Sequence, residues 1–167
     1  MVTTPEVLFD AVKDRYDSEL EYSSELDTKI GTVMGFVGAV LTIIILFVGS
    51  VLYPIMSSGN APTADKLLPL TGSVILLIAA TASGVYGYYG ISYHSVPDPV
   101  PLLQQYKNEA NPTKIIKVLA ATMAAETQHN IKQNGRKVKV FGLTLELFAA
   151  GTILSGLFVV ILINVRG

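Results

Sequence analysis

Three long apolar runs dominate the chain, at residues 30–56, 67–91 and 140–165, and polar stretches separate them. The first two runs contain no charged residue, and the third contains one, Glu146. A helix needs about 20 apolar residues to cross a hydrocarbon core, and each run exceeds that. The pattern therefore predicts an all-α integral membrane protein with three transmembrane helices and a cytoplasmic helical layer. It divides into a polar N-terminal helix (1–29), a transmembrane hairpin (30–91), a cytoplasmic helical segment (92–139) and a third transmembrane helix (140–167). The short 53–66 connection makes the first two spans antiparallel neighbours.

The polar stretches carry their own helix signals. Thr4-Pro5-Glu6 is a helix start: a threonine cap, a proline in the first turn and an acid near the positive end of the dipole. Leu8, Val12, Tyr16 and Leu20 then recur every four residues as an apolar stripe. Asp98-Pro99 and Asn111-Pro112 predict two further starts, a short helix over 100–109 and a longer one over 112–134. Ile115, Ile116, Leu119, Met123 and Ile131 give the longer helix an apolar face, expected to pack on the N-terminal helix. Gly135 is read as a hinge or cap before the third span.

Composition agrees: 50% of residues are hydrophobic, mean hydropathy is +0.49, and only 15% are charged, against roughly a quarter in soluble domains. The net charge of −1 averages over segments of opposite sign. The N-terminal helix is acidic, and the 92–139 segment holds Lys107, Lys114, Lys117, Lys132, Arg136, Lys137 and Lys139. Lys and Arg accumulate on the cytoplasmic side of spans. The N-terminus and the 92–139 segment are therefore expected in the cytoplasm of a multi-pass plasma-membrane protein, with the C-terminus outside. Lys132, Arg136, Lys137 and Lys139 crowd against the third span, where membrane lipid head groups or a gating contact would engage them. No signal peptide is visible. With no cysteine, two isolated histidines (His94, His129) and no nucleophile–base pair or phosphate loop, no catalytic residue, metal, cofactor or nucleic-acid partner is expected.

Small residues mark the spans as packing surfaces, because they let helix backbones approach closely in lipid. The first span carries Gly31, Gly35 and Gly38; the second carries Ala80, Ser83, Gly84 and Gly87; the third carries Gly142. Thr32, Glu146 and Asn164 are the intramembrane polar candidates. An ionisable group at membrane depth is costly and marks a bundle interior, an aqueous path or a paired partner. At about 100° per residue, Gly142, Ala149, Ala150, Ile153, Leu157 and Asn164 share the Glu146 face. Bulky Leu143, Leu147, Leu154 and Ile161 occupy a flank suited to lipid. Three roles stay open for Glu146: a hydrogen bond to Tyr86, Ser83 or Thr32, a place in a ring around an oligomer axis, or proton coupling in a carrier. Carriers usually show internal repeats, which this chain lacks.

The stretch Ser18-Glu19-Leu20-Glu21-Tyr22-Ser23-Ser24 leading into Ile30-Gly31, the close pair of spans, and Ala124-Ala125-Glu126-Thr127-Gln128-His129-Asn130 leading into Lys137 resemble the small helical membrane effectors of the SLATT type. The third span departs from their two-span plan. That resemblance implies an oligomeric pore-forming effector of nucleotide-signalled antiviral defence, switched by a cytoplasmic protein or nucleotide-linked regulator. Residues and resemblance together predict a homo-oligomeric membrane channel gated by its cytoplasmic helices. The alternative is a non-conducting accessory subunit of a larger membrane complex.

Overall fold

The computed structural model of the chain describes residues 4–59, 62–91, 104, 107 and 111–166, the last two of these without their side chains. Among them every regular element is helical: α1 (Pro5–Phe47), a π-helical turn (Val48–Leu52), α2 (Tyr53–Ser57), α3 (Ala64–Tyr89) and α4 (Pro112–Arg166). Three helical stretches are long and apolar enough to cross a membrane: Pro5–Ser57, Ala64–Tyr89 and Pro112–Asn164. The short helix expected over 100–109 lies outside the described residues, apart from Gln104 and Lys107, both helical.

The starts of α1 and α4 form as their sequences dictate. Val7 N–H donates to Thr4 Oγ1 at 3.5 Å, and Thr113 N–H donates to Asn111 Oδ1 at 3.1 Å. Each side chain satisfies one of the amides that a helix start leaves without an intrahelical partner. Gly135 neither caps nor hinges: α4 runs through it without a break. A helix-interior glycine costs only about 1 kcal/mol, and buried Asn134 and Lys137 on either side hold the backbone in place.

The end of the first span is less regular than the apolar run suggests. Tyr53 N–H reaches back to Val48 O, five residues away, one residue before Pro54. Proline has no N–H to give, and its ring crowds the carbonyl four residues earlier. Widening the preceding turn relieves that crowding, a common origin of π turns.

The chain forms two compact units, to both of which α1 and α4 contribute. One comprises Met1–Asp27 and Ile91–Val138, the other Thr28–Gly90 and Lys139–Gly167. In the second unit, Val37 and Ile44 of α1 and Leu77 and Ala80 of α3 are buried together. Leu147 and Phe148 of α4 pack against them. Leu147 thus belongs to the core and not to the lipid flank expected of it; Leu154 likewise approaches Gly72. The reason is phase. Thr144, Gly151, Phe158 and Leu162 are the buried residues of α4 here, which puts its protein-facing side next to the leucine flank.

Close approach in this unit depends on small residues of α3 and α4. A Cβ at Gly84 would fall 2.8 Å from Met34 Cγ, one at Gly87 3.0 Å from Val140 Cγ1, and one at Gly151 2.9 Å from Leu77 Cγ. Hydroxyls supply the polar contacts. Ser73 and Ser155 lie 2.5 Å apart, Thr144 Oγ1 donates to Ser83 Oγ at 3.0 Å, and Ser83 Oγ donates to Val140 O at 3.5 Å. A T-shaped Phe47–Phe158 pair, with ring centroids 6.1 Å apart, links α1 to α4.

Candidate functional site

Glu146 is exposed, and among the described residues nothing hydrogen-bonds to it or pairs with it. None of its three expected neighbours binds it. Ser83 is engaged with Thr144 and Val140, Thr32 Oγ1 donates to Thr28 O at 2.9 Å, and Tyr86 is 60% exposed. The geometry follows from the helix repeat. Buried Thr144, Gly151, Phe158 and Leu162 lie about 120–160° around α4 from Glu146, so the acid points away from the packed side. Its own face holds Ala149, Ala150, Ile153, Leu157 and Asn164, all exposed, and half-buried Gly142, where an added Cβ would meet nothing within 4 Å.

The glycines of the first span behave in the same way. Gly31, Gly35 and Gly38 are exposed, and an added Cβ at any of them would meet nothing within 4 Å. The predicted packing residues therefore fall into two groups. Ala80, Ser83, Gly84 and Gly87 of α3 are used inside the unit, whereas Gly31, Gly35, Gly38 and Gly142 face outward. The outer face of α3 is of a third kind, bulky and apolar, with Ile75, Ile78 and Val85 exposed.

The Met1–Asp27/Ile91–Val138 unit buries a seam that the sequence reading missed. On α1, Tyr16, Glu19, Ser23 and Leu26 are buried; on α4, Ala120, Met123, Thr127, Asn130, Asn134 and Lys137 are. Both sets step by three and four residues, the spacing of knobs-into-holes packing. The expected apolar stripes meet only in part: Tyr16 and Met123 are buried, but Leu8 is 50% and Ile131 37% exposed. Polar side chains fill the remainder. Asn134 Nδ2 donates to the Glu19 backbone carbonyl at 3.1 Å and to Glu19 Oε2 at 3.0 Å, while Arg15 pairs with Glu19 Oε1 at 2.8 Å.

Lys137 differs from the other bases of its cluster. Its side chain is 1% exposed and forms an ion pair with Asp27, which is no position for meeting a lipid head group. Lys132, Arg136 and Lys139 are exposed. Burial, together with the charges of Glu126 and Asp17, pushes the Tyr16 phenol above its ordinary value. A low-dielectric site disfavours phenolate, and neighbouring acids disfavour it further. Among the described residues no group of three or more His, Asp or Glu could hold a metal ion.

Among the described residues these features define a helical protein with three helices long and apolar enough to cross a membrane, and a lone carboxylate on the outward side of the last. Comparison with protein families, with curated proteins and with solved structures finds no match for this chain.

Proposed function

We propose that the chain is a small multi-pass membrane protein that assembles with copies of itself into an ion-conducting channel or pore-forming effector, with Glu146 on the shared path. The observation that carries this reading is the exposed Glu146, unpaired among the described residues, on the side of α4 away from the packed core. A carboxylate in contact with hydrocarbon is costly, and intramembrane acids line aqueous paths or meet partners. Among the described residues no partner within the protomer fills that role, and three spans are too few to enclose a path. Symmetric association provides both a path and a partner surface. Rings of acidic side chains select cations, so the permeant class is cationic. The helices of the Met1–Asp27/Ile91–Val138 unit lie on the cytoplasmic side in this reading and gate the path in response to a regulatory partner or nucleotide-linked signal.

The test is flux from liposomes holding the purified protein. Conduction by an oligomer, with Glu146→Gln reducing cation-over-anion selectivity, is expected. A monodisperse monomer that passes no ion would overturn it. The accessory-subunit reading draws on the outward glycine face of α1, which fits a different membrane chain equally well. A stable heteromeric complex without flux would establish that alternative.

A further inference from the structure

The polar unit presents two outer stripes of opposite charge. On α1, Asp10, Asp14, Asp17 and Glu21 are all exposed. Their spacing of four, three and four residues holds them within about 60° of one another on one helix face. That face lies roughly opposite buried Tyr16, Glu19, Ser23 and Leu26. Four carboxylates thus run along about 16 Å of helix, and among the described residues Lys13 on the flank is the base of α1 nearest to them. The other bases nearby are engaged, Arg15 with Glu19 and Lys137 with Asp27.

On α4 the corresponding outer face carries Lys132 and Arg136 and, on its flank, Lys117, all exposed, with no acid among them. Glu126, the one acid of this part of α4, is half-buried nearer the seam. Ala121 and Ala125 lie on the same outer face and are exposed, so a second helix meets little bulk beside them. Each stripe faces away from the seam that joins the two helices. A single protomer therefore cannot bring its own acidic stripe onto its own basic one.

We infer that these stripes form a head-to-tail interface between copies of this chain, the acidic face of α1 in one protomer seated on the basic face of α4 in the next. Two different faces meeting in this way make a heterologous contact, which closes into a ring when the rotation per subunit allows. Opposite charge along both helices fixes which faces meet and rejects acid-on-acid or base-on-base pairing. This rests on the homo-oligomer part of the reading above and is independent of conduction.

Charge reversal in the full chain tests it, with mass measured by analytical ultracentrifugation in mild detergent and helicity checked by circular dichroism. One variant carries Asp10→Lys, Asp14→Lys, Asp17→Lys and Glu21→Lys; the other carries Lys117→Glu, Lys132→Glu and Arg136→Glu. Each alone presents like charges on both faces and is expected to self-associate at least about tenfold more weakly than the unaltered chain. Mixed in equal amounts, the two are expected to co-assemble, because each then supplies the face the other lost. Raising salt from about 0.05 to 0.5 M should weaken assembly of the unaltered chain, since screening shortens the reach of exposed charges to a few ångströms.

Three results would overturn the interface: an unaltered chain that stays monomeric, including one whose lysines bind only anionic vesicles; reversed variants that assemble as before; or folded variants that fail to co-assemble. Charge-dependent assembly without flux would keep this interface and remove the channel. Flux from assemblies indifferent to charge reversal would do the opposite.

Discussion

The two units pack helices at the same three-and-four spacing with opposite chemistry. In the Thr28–Gly90/Lys139–Gly167 unit the contacts are small and apolar: Gly84, Gly87 and Gly151 bring neighbouring side chains to within ordinary contact, and hydroxyls make the few polar bonds. The Met1–Asp27/Ile91–Val138 unit instead buries Glu19, Ser23, Asn130, Asn134 and Lys137. Close packing in lipid comes from small residues, because burying apolar surface there gains nothing. In water an apolar seam would be the stronger choice, and a polar one gives up stability in exchange for a defined register. Asn134 Oδ1 makes the point: it is buried with no hydrogen-bond partner among the described residues. The polar unit is therefore the one whose helix pairing is set by specific partners, and the apolar unit is set by shape.

Breaking the ion pair separates the two most sharply. Asp27→Leu leaves the Lys137 ammonium buried without its carboxylate and should cost about 3 kcal/mol, read as a lowered midpoint in thermal or denaturant unfolding. Asp27→Leu with Lys137→Met should recover most of that loss, because an apolar pair needs no charge compensation. Failure of the double substitution to recover would show that the pair does more than compensate charge.

Shape is tested at Gly151. Gly151→Val should cost about 1–3 kcal/mol through overpacking against Leu77 and Ser73 O. Gly142→Ala, on open space, should leave protomer stability unchanged and alter only assembly. The hydroxyl contacts matter less. Ser73→Ala should cost no more than about 1 kcal/mol, since Ser155 Oγ also donates to Gly151 O at 3.1 Å.

The smallest effect is that of pH. The raised Tyr16 phenol favours the folded state fully below its ordinary value near 10, and that contribution is lost as pH climbs through the higher folded value. Stability of the polar unit should therefore fall above about pH 10, and Tyr16→Phe should flatten that fall.

Much of this architecture was legible in the chain. Apolar run lengths marked the three helices long and apolar enough to cross a membrane, Thr4 and Asn111 marked two starts, and the helical repeat placed Glu146 with Gly142, Ala149 and Ala150. What the repeat could not supply was direction. A wheel says which residues share a side, not whether that side meets protein, which is why the flank that holds Leu147 reads as lipid-facing while Leu147 packs on the core. Lys137 was unreadable for a different reason. Its partner Asp27 lies 110 positions earlier, and nothing local distinguishes a lysine bound for an ion pair from its exposed neighbours. Gly135 misled because a glycine ends a helix only where no packing holds the flanking turns.

The π turn shifts the helical register at the end of the first apolar run. Along α1, buried Val37 and Ile44 are seven apart, yet the next fully buried residue, Leu52, comes eight after Ile44. The turn behaves as a one-residue frameshift written into the helix. Deleting one residue between 48 and 51 should leave Leu52 in the frame of Val37 and Ile44 but restore the crowding at Pro54. Deleting Ala39 instead should rotate every later side chain of α1 by about 100° and lower the unfolding temperature.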